Sequence, residues 1–146
     1  MRFGGHFRVG GLLAVLVLGM CLALNQQPSQ AQVKKGKTRA ATTKYLMRGV
    51  QQPHCAAAGK LLKDGPKDDK EWDALACHAS VLNEISYVIL DDGRCPDKVW
   101  ADAAKELRSG SDNLLKATNN KELEEARTAF KGVTGSCASC HKAHKK

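Results

Sequence analysis

Aromatic residues make up 5% of this 146-residue chain, and proline occurs four times. A core so poor in rings must be filled by aliphatic and small side chains, or by a bound apolar group. No run alternates apolar and polar residues for long enough to make a half-buried strand, which leaves helix as the organising element. Internal repeats and low-complexity segments are absent, which excludes solenoid and fibrous architectures. No Ser/His/Asp set or carboxylate pair stands at a spacing that suggests catalysis, and only His54 could serve as a distal acid–base group, so the chain does not read as an enzyme. The longest apolar run, Gly11 to Leu24, is short of the roughly 20 residues that a spanning helix needs.

That run has another reading. Arg2 and Arg8 precede it, and Ser29-Gln30-Ala31 follows it with small residues at the two positions a signal peptidase reads. Residues 1–31 therefore have the form of a secretory signal, with Gln32 expected to begin the mature chain. Cys21 does not suggest lipidation, because Met20 stands where a lipoprotein signal needs a small residue. The expected location is a bacterial periplasm, with no transmembrane segment in the mature chain. The full sequence carries a formal net charge of +8. A basic surface suits docking to an acidic protein partner or an anionic membrane, and equally an ordinary solvated surface. Export and the alternation of charge along the helices argue against nucleic acid.

After a polar, basic stretch expected to be a flexible lead-in (residues 32–40), four segments have helical period. The first runs from about Ala41 to Lys63, with Met47, Val50, His54, Ala57 and Leu61 on one face. Pro53 lacks an N–H and predicts a kink there, and Asp64-Gly65-Pro66 stops the helix. The second runs from about Asp68 to Leu90, with Leu75, Ala79, Leu82, Ser86 and Ile89 inward, and ends at Asp91-Asp92-Gly93. Cys95-Pro96-Asp97 opens the third, whose face is Trp100, Ala103, Leu107, Ser111 and Leu114. The fourth reads Leu123, Ala126, Phe130, Val133, Cys137 and Cys140. Four helices with short connections imply an all-α, antiparallel up-down-up-down bundle over residues 41–146.

The fourth stripe runs into Cys137-Ala138-Ser139-Cys140-His141, a Cys-x-x-Cys-His pattern. This is the attachment pattern of c-type haem. Two thiols one helical turn apart reach the two vinyl groups of a porphyrin as thioethers, and His141 then falls under the iron as proximal ligand. Other readings are a redox dithiol, which usually follows a strand that is missing here, and a zinc site from Cys137, Cys140, His141 and His144, which lacks the usual separated pairs. A chance match is the third. The expected cofactor is one covalent haem c with its iron.

In such a bundle the end of the fourth helix lies beside the start of the first, the end of the second and the start of the third. The pocket is then expected near 45–50, 85–90, 100–104 and 130–134, with Tyr87, Val88, Trp100, Phe130 and Val133 as candidate haem contacts. Each of these is equally suited to ordinary core packing. Met47 lies on the inner stripe at the level of the iron, and its soft thioether suits the sixth position. His54 shares the stripe about 10 Å further along. His78 and His144 read as surface or tail residues.

The signal, the bundle, Cys137 to His141, and Tyr45-Leu46-Met47 near the start of the first helix together resemble the class II cytochromes c, the cytochrome c′ family. The resemblance spans the mature chain. It implies a low-spin, single-electron carrier with Met47 as distal ligand, and protein redox partners. Its high-spin members are five-coordinate and bind nitric oxide or carbon monoxide, which is the alternative function. The resemblance further implies basic residues near the propionates, for which Lys44 and Lys131 could serve, and a homodimer through the first two helices. The extra cysteines Cys55, Cys77 and Cys95 depart from the family. Cys55 and Cys77 are equidistant from Pro66, so a disulfide between them is expected if their Cβ atoms face each other, leaving Cys95 over.

Overall fold

The computed structural model describes residues 34–145, and the signal segment with its cleavage site lies outside the described residues. The described chain is all-helical. The elements are α1 (Thr43–Leu46), a π-helical turn (Met47–Gln51), α2 (Gln52–Asp64), α3 (Asp69–Leu90), α4 (Lys98–Asn119) and α5 (Leu123–His144). Since α1, the π turn and α2 run on without a break, they form one bundle helix, and four helices pack together.

Each start has a local cause. Thr42, Asp68 and Asp97 stand at the N-caps, and their side chains accept the backbone N–H of Tyr45, Glu71 and Trp100. Such a cap contributes about 1 kcal/mol by satisfying a donor the helix cannot. Gly65 ends α2 at φ 74°, a left-handed conformation that glycine takes without penalty.

Contacts between helices run in opposite senses along the chain. On α3 and α4, Trp100 Nε1 donates to the Ile89 carbonyl at 2.7 Å and Asn83 Nδ2 to that of Arg108 at 2.9 Å. On α4 and α5, Trp100 meets His144 while Gly110 meets Val133. On α2 and α5, Arg127 Nε donates to the Leu62 carbonyl while Gly59 meets Phe130. The helices are therefore antiparallel neighbours in chain order, and the first also packs on the last.

The core has two parts. Ala58, Leu62, Leu75, Ala79, Leu114, Ala117 and Ala126 fill the end near Gly65. Leu82, Ile85, Ile89, Trp100, Ala104, Leu107 and Val133 fill the other end, and Phe130 packs against both clusters. The expected stripes of the second and third helices are buried throughout. From the π turn onward, the buried residues of the first helix are Gln51, Ala58 and Leu62, one position after the expected 50, 57 and 61. The π turn explains the offset. Pro53 has no N–H to donate and its ring would strike the carbonyl four residues back. The helix widens ahead of it instead, with Gln52 N–H bonded to the Met47 carbonyl. The wider turn takes in one more residue, and the stripe moves on by one.

Residues 34–42, with 34–40 expected as a flexible lead-in, are held as a strap against the α3–α4 loop. Arg94, fully buried, donates to the carbonyls of Ala41 (2.8 Å), Arg39 (3.3 Å) and Lys34 (3.4 Å). Asp92 accepts from both the backbone N–H and the hydroxyl of Thr38 at 2.8 Å.

Close approach of α4 and α5 depends on Gly110. A Cβ there would lie 3.1 Å from the Val133 nitrogen, a backbone atom that cannot rotate away. Gly110→Val is expected to cost about 2 kcal/mol through overpacking. Gly135, also helical, would place a Cβ in open space, so Gly135→Ala should add about 0.5–1 kcal/mol. Urea midpoints shifting in opposite directions would establish the difference; parallel shifts would contradict it.

Candidate functional site

Met47, Cys137, Cys140 and His141 line one cleft at the strap end of the bundle. Its other walls are Gln51 on the π turn, Ile89 at the end of α3, Trp100, Ala103, Ala104 and Leu107 on α4, and Ser136 on α5. Three helix ends and the π turn meet there because the topology brings the last turns of α5 beside the first helix and the α3–α4 corner. The free space is about 20 Å³, on the order of one water molecule. A larger hollow of about 420 Å³ lies at the far end, near Asn120 and Glu122, and has no thiol, imidazole or thioether in its lining.

Cys137 and Cys140 are i and i+3 on α5 and half-buried, and His141 follows on the rim. Burial, then the neighbouring Lys145 charge, hold the His141 imidazole below its ordinary pKa, which keeps a nitrogen lone pair available. Burial, then the charges of Cys137, Asp97 and Cys95, push the Cys140 thiol up to about 11. Cys137 is driven the other way. The neighbouring Cys55 thiol, then Gln51 Nε2, which donates to the Cys137 sulfur at 3.4 Å, favour the thiolate. The neighbouring Cys137 sulfur, then burial, raise the pKa of the Cys55 thiol. Gln51 Oε1, on the same side chain, is buried without a hydrogen-bond partner.

Of the expected pocket residues, Trp100 alone stands in the cleft wall. Tyr87 is exposed on the flank of α3 with the Arg108 guanidinium 3.4 Å above its ring. Val88 and Phe130 pack against the neighbouring core, and Val133 is fully buried against Gly110. Gln51, Ser136 and Leu107 are wall residues that lay outside the expected set. Gln51 could have been found, as it is one turn from Met47.

The remaining histidines and cysteines also differ from expectation. His54 and His78 meet Nδ1 to Nδ1 at 3.0 Å across α2 and α3, so His78 is paired and His54 faces away from the cleft. Burial, then His54, lower the His78 pKa. His144 is no loose tail: its ring packs edge-on against Trp100 at 5.3 Å. Cys55 and Cys77 are free thiols, with Cys77 exposed. The register expected for them is close, since their sequence neighbours His54 and His78 touch, but Cys55 packs on the core cluster while Cys77 is exposed. Lys44 and Lys131 are both exposed. Among the described residues, no three His, Cys, Asp or Glu side chains converge as a protein-only metal site, and no helix is long and apolar enough to cross a membrane.

The donor chemistry of the cleft fits a c-type haem. Two thiols one turn apart, an imidazole beside them and a thioether from another helix share one lining. The free space of about 20 Å³ is far smaller than a macrocycle. The chain matches no protein-family model, no curated protein and no solved structure.

Proposed function

We propose that the chain is an exported, periplasmic c-type cytochrome that carries single electrons between protein partners. The observation that carries this reading is the convergence of Met47 with Cys137, Cys140 and His141 on one cleft, although Met47 is some 90 residues away in sequence from the other three. Cys137 and Cys140 would hold a haem through thioethers, His141 would ligate its iron, and Met47 would take the sixth position. When bound, the haem supplies a one-electron couple, with a potential that Met ligation raises. The residues around it supply the rest. Ile89, Trp100, Ala104 and Leu107 exclude water from the site. Met47 on the first bundle helix and His141 near the end of α5 would each be positioned by its own helix.

The test is the optical spectrum, ferric and ferrous, with and without carbon monoxide, of protein made in a host with c-type maturation machinery. A low-spin spectrum with the weak Met-to-iron band and no response to carbon monoxide is expected, with haem retained through acid–acetone extraction. A high-spin spectrum that shifts with carbon monoxide would favour the five-coordinate, gas-binding reading instead. Protein without covalent haem would overturn both.

A further inference from the structure

His54 on α2 and His78 on α3 lie outside the cleft, both half-buried, with their Nδ1 atoms 3.0 Å apart. The rings meet edge-on, their centroids 5.1 Å apart and their planes at 68°. A hydrogen bond across that gap needs one N–H and one lone pair, so one ring is a neutral tautomer with a bare Nδ1. No carboxylate shares the pair: among the described residues, neither ring has another hydrogen bond or an ion pair. Burial, then His54, lower the His78 pKa, which keeps that imidazole neutral and able to ligate at pH 7.

The separation is also a coordination distance. Two imidazole nitrogens held about 2.0–2.1 Å from one ion, at right angles as in tetragonal coordination, stand about 2.8–3.0 Å apart. The seam they span matters as well, because α2 and α3 are the most thinly packed of the consecutive helix pairs. We propose that His54 and His78 form a two-histidine site for a divalent transition-metal ion, which takes one nitrogen from each helix and clasps α2 to α3. Cu(II) suits it best. That ion favours tetragonal nitrogen and oxygen ligands, stands highest in the affinity order of the divalent first-row metals, and accepts water at the positions the protein leaves open. Calcium and magnesium are poor fits, since they need converging oxygens. On binding, the donor ring exchanges its Nδ1 proton for one on Nε2 through solvent, so both Nδ1 lone pairs face the ion and no net proton is lost. The site does not depend on the function proposed above, because neither histidine lines the cleft.

The probe is Cu(II) itself, added to the full chain after its thiols have been alkylated so that they neither reduce nor capture the ion. Electron paramagnetic resonance should show one tetragonal Cu(II) per chain, coupled to two imidazole nitrogens. His54→Ala and His78→Ala should each weaken binding by about tenfold or more, since even the partners behind a metal ligand are worth that much. His141→Ala should bind as the wild type does. Cu(II) should raise the urea midpoint of the wild type and leave that of either histidine variant unmoved, with circular dichroism checking the fold of each. Coupling to a single nitrogen, or unchanged binding in His54→Ala or His78→Ala, would overturn the site. Loss of the ion in His141→Ala would place it in the cleft and overturn the site equally. Two-nitrogen binding with no rise in the urea midpoint would overturn the clasp.

Discussion

Replacing Met47 by alanine is expected to convert the ferric haem protein from low-spin to high-spin and to let carbon monoxide bind the ferrous form. The same quantity of haem should still survive acid–acetone extraction, because Cys137 and Cys140 are untouched. The size of the effect follows from the surroundings of Met47. The side chains nearest to it in the cleft wall are Gln51 and the apolar set of α4, none of which offers iron a strong-field ligand. His54 cannot replace it, since its Nδ1 is 3.0 Å from His78 Nδ1 and its ring lies against α3. His54→Ala should therefore leave the spectrum unchanged, and serves as the control. In the haem-free chain Met47→Ala should cost only about 1 kcal/mol, because the side chain is half-exposed and little apolar area is lost. A spectral conversion with almost no cost to the apo chain is the signature of a ligand; an unchanged spectrum would return Met47 to ordinary packing.

The helical architecture was legible because α3, α4 and α5 carry their apolar residues at unbroken helical spacing, and α3 and α4 begin at aspartate caps. Leu75, Ala79, Leu82, Ser86 and Ile89 are buried as their period demands. The first helix was legible only as far as Pro53, since a proline announces a defect without saying whether the backbone bends or widens. The π turn widens it, and every inward residue beyond comes one place late. The same limit applies at the site. Topology placed the cleft among the right helix ends, yet a residue one step from an inner stripe is rotated by about 100°. Tyr87, next to buried Ser86, therefore points out under Arg108, and Cys55, next to His54, packs on the core cluster while Cys77 is exposed. Nothing in the sequence marks the strap. Its ties are a buried arginine and three backbone carbonyls, and arginine is among the residues least often fully buried.

That strap carries the largest expected effect on stability. Arg94→Met should cost about 3 kcal/mol and release residues 34–42. The guanidinium is fully enclosed and stands 3.7 Å from Asp92 Oδ2. Its donors supply the Lys34, Arg39 and Ala41 carbonyls, and removing one member of a buried charged set costs about 3–5 kcal/mol. Rehydration of the freed carbonyls places the expected value at the lower end. Urea unfolding measures the loss, and trypsin reports the release, since Lys34, Lys35, Lys37 and Arg39 all lie in the strap. Gly36→Ala tests the same contact without altering a charge, because a Cβ on Gly36 would collide with the Asp92 carboxylate. Acid should act on it too. The Thr38 backbone N–H and then its hydroxyl hold the Asp92 pKa below the usual carboxylate range, and Arg94 and Arg39 add to this. The contribution of Asp92 is therefore complete above the ordinary carboxylate pKa, about 3.9, and is lost as pH falls through the lowered value. Hydrogen-exchange protection at the Lys37 amide, which donates to the Asp92 carbonyl at 2.8 Å, should fall over that acid range in the wild type. It should be weak at neutral pH in both variants. Because Lys34 also accepts from Thr43 at the head of α1, a released strap should loosen the turn that carries Met47. If Arg94→Met and Gly36→Ala both leave residues 34–42 protected, the strap is held by contacts other than these, and its link to the cleft fails with it.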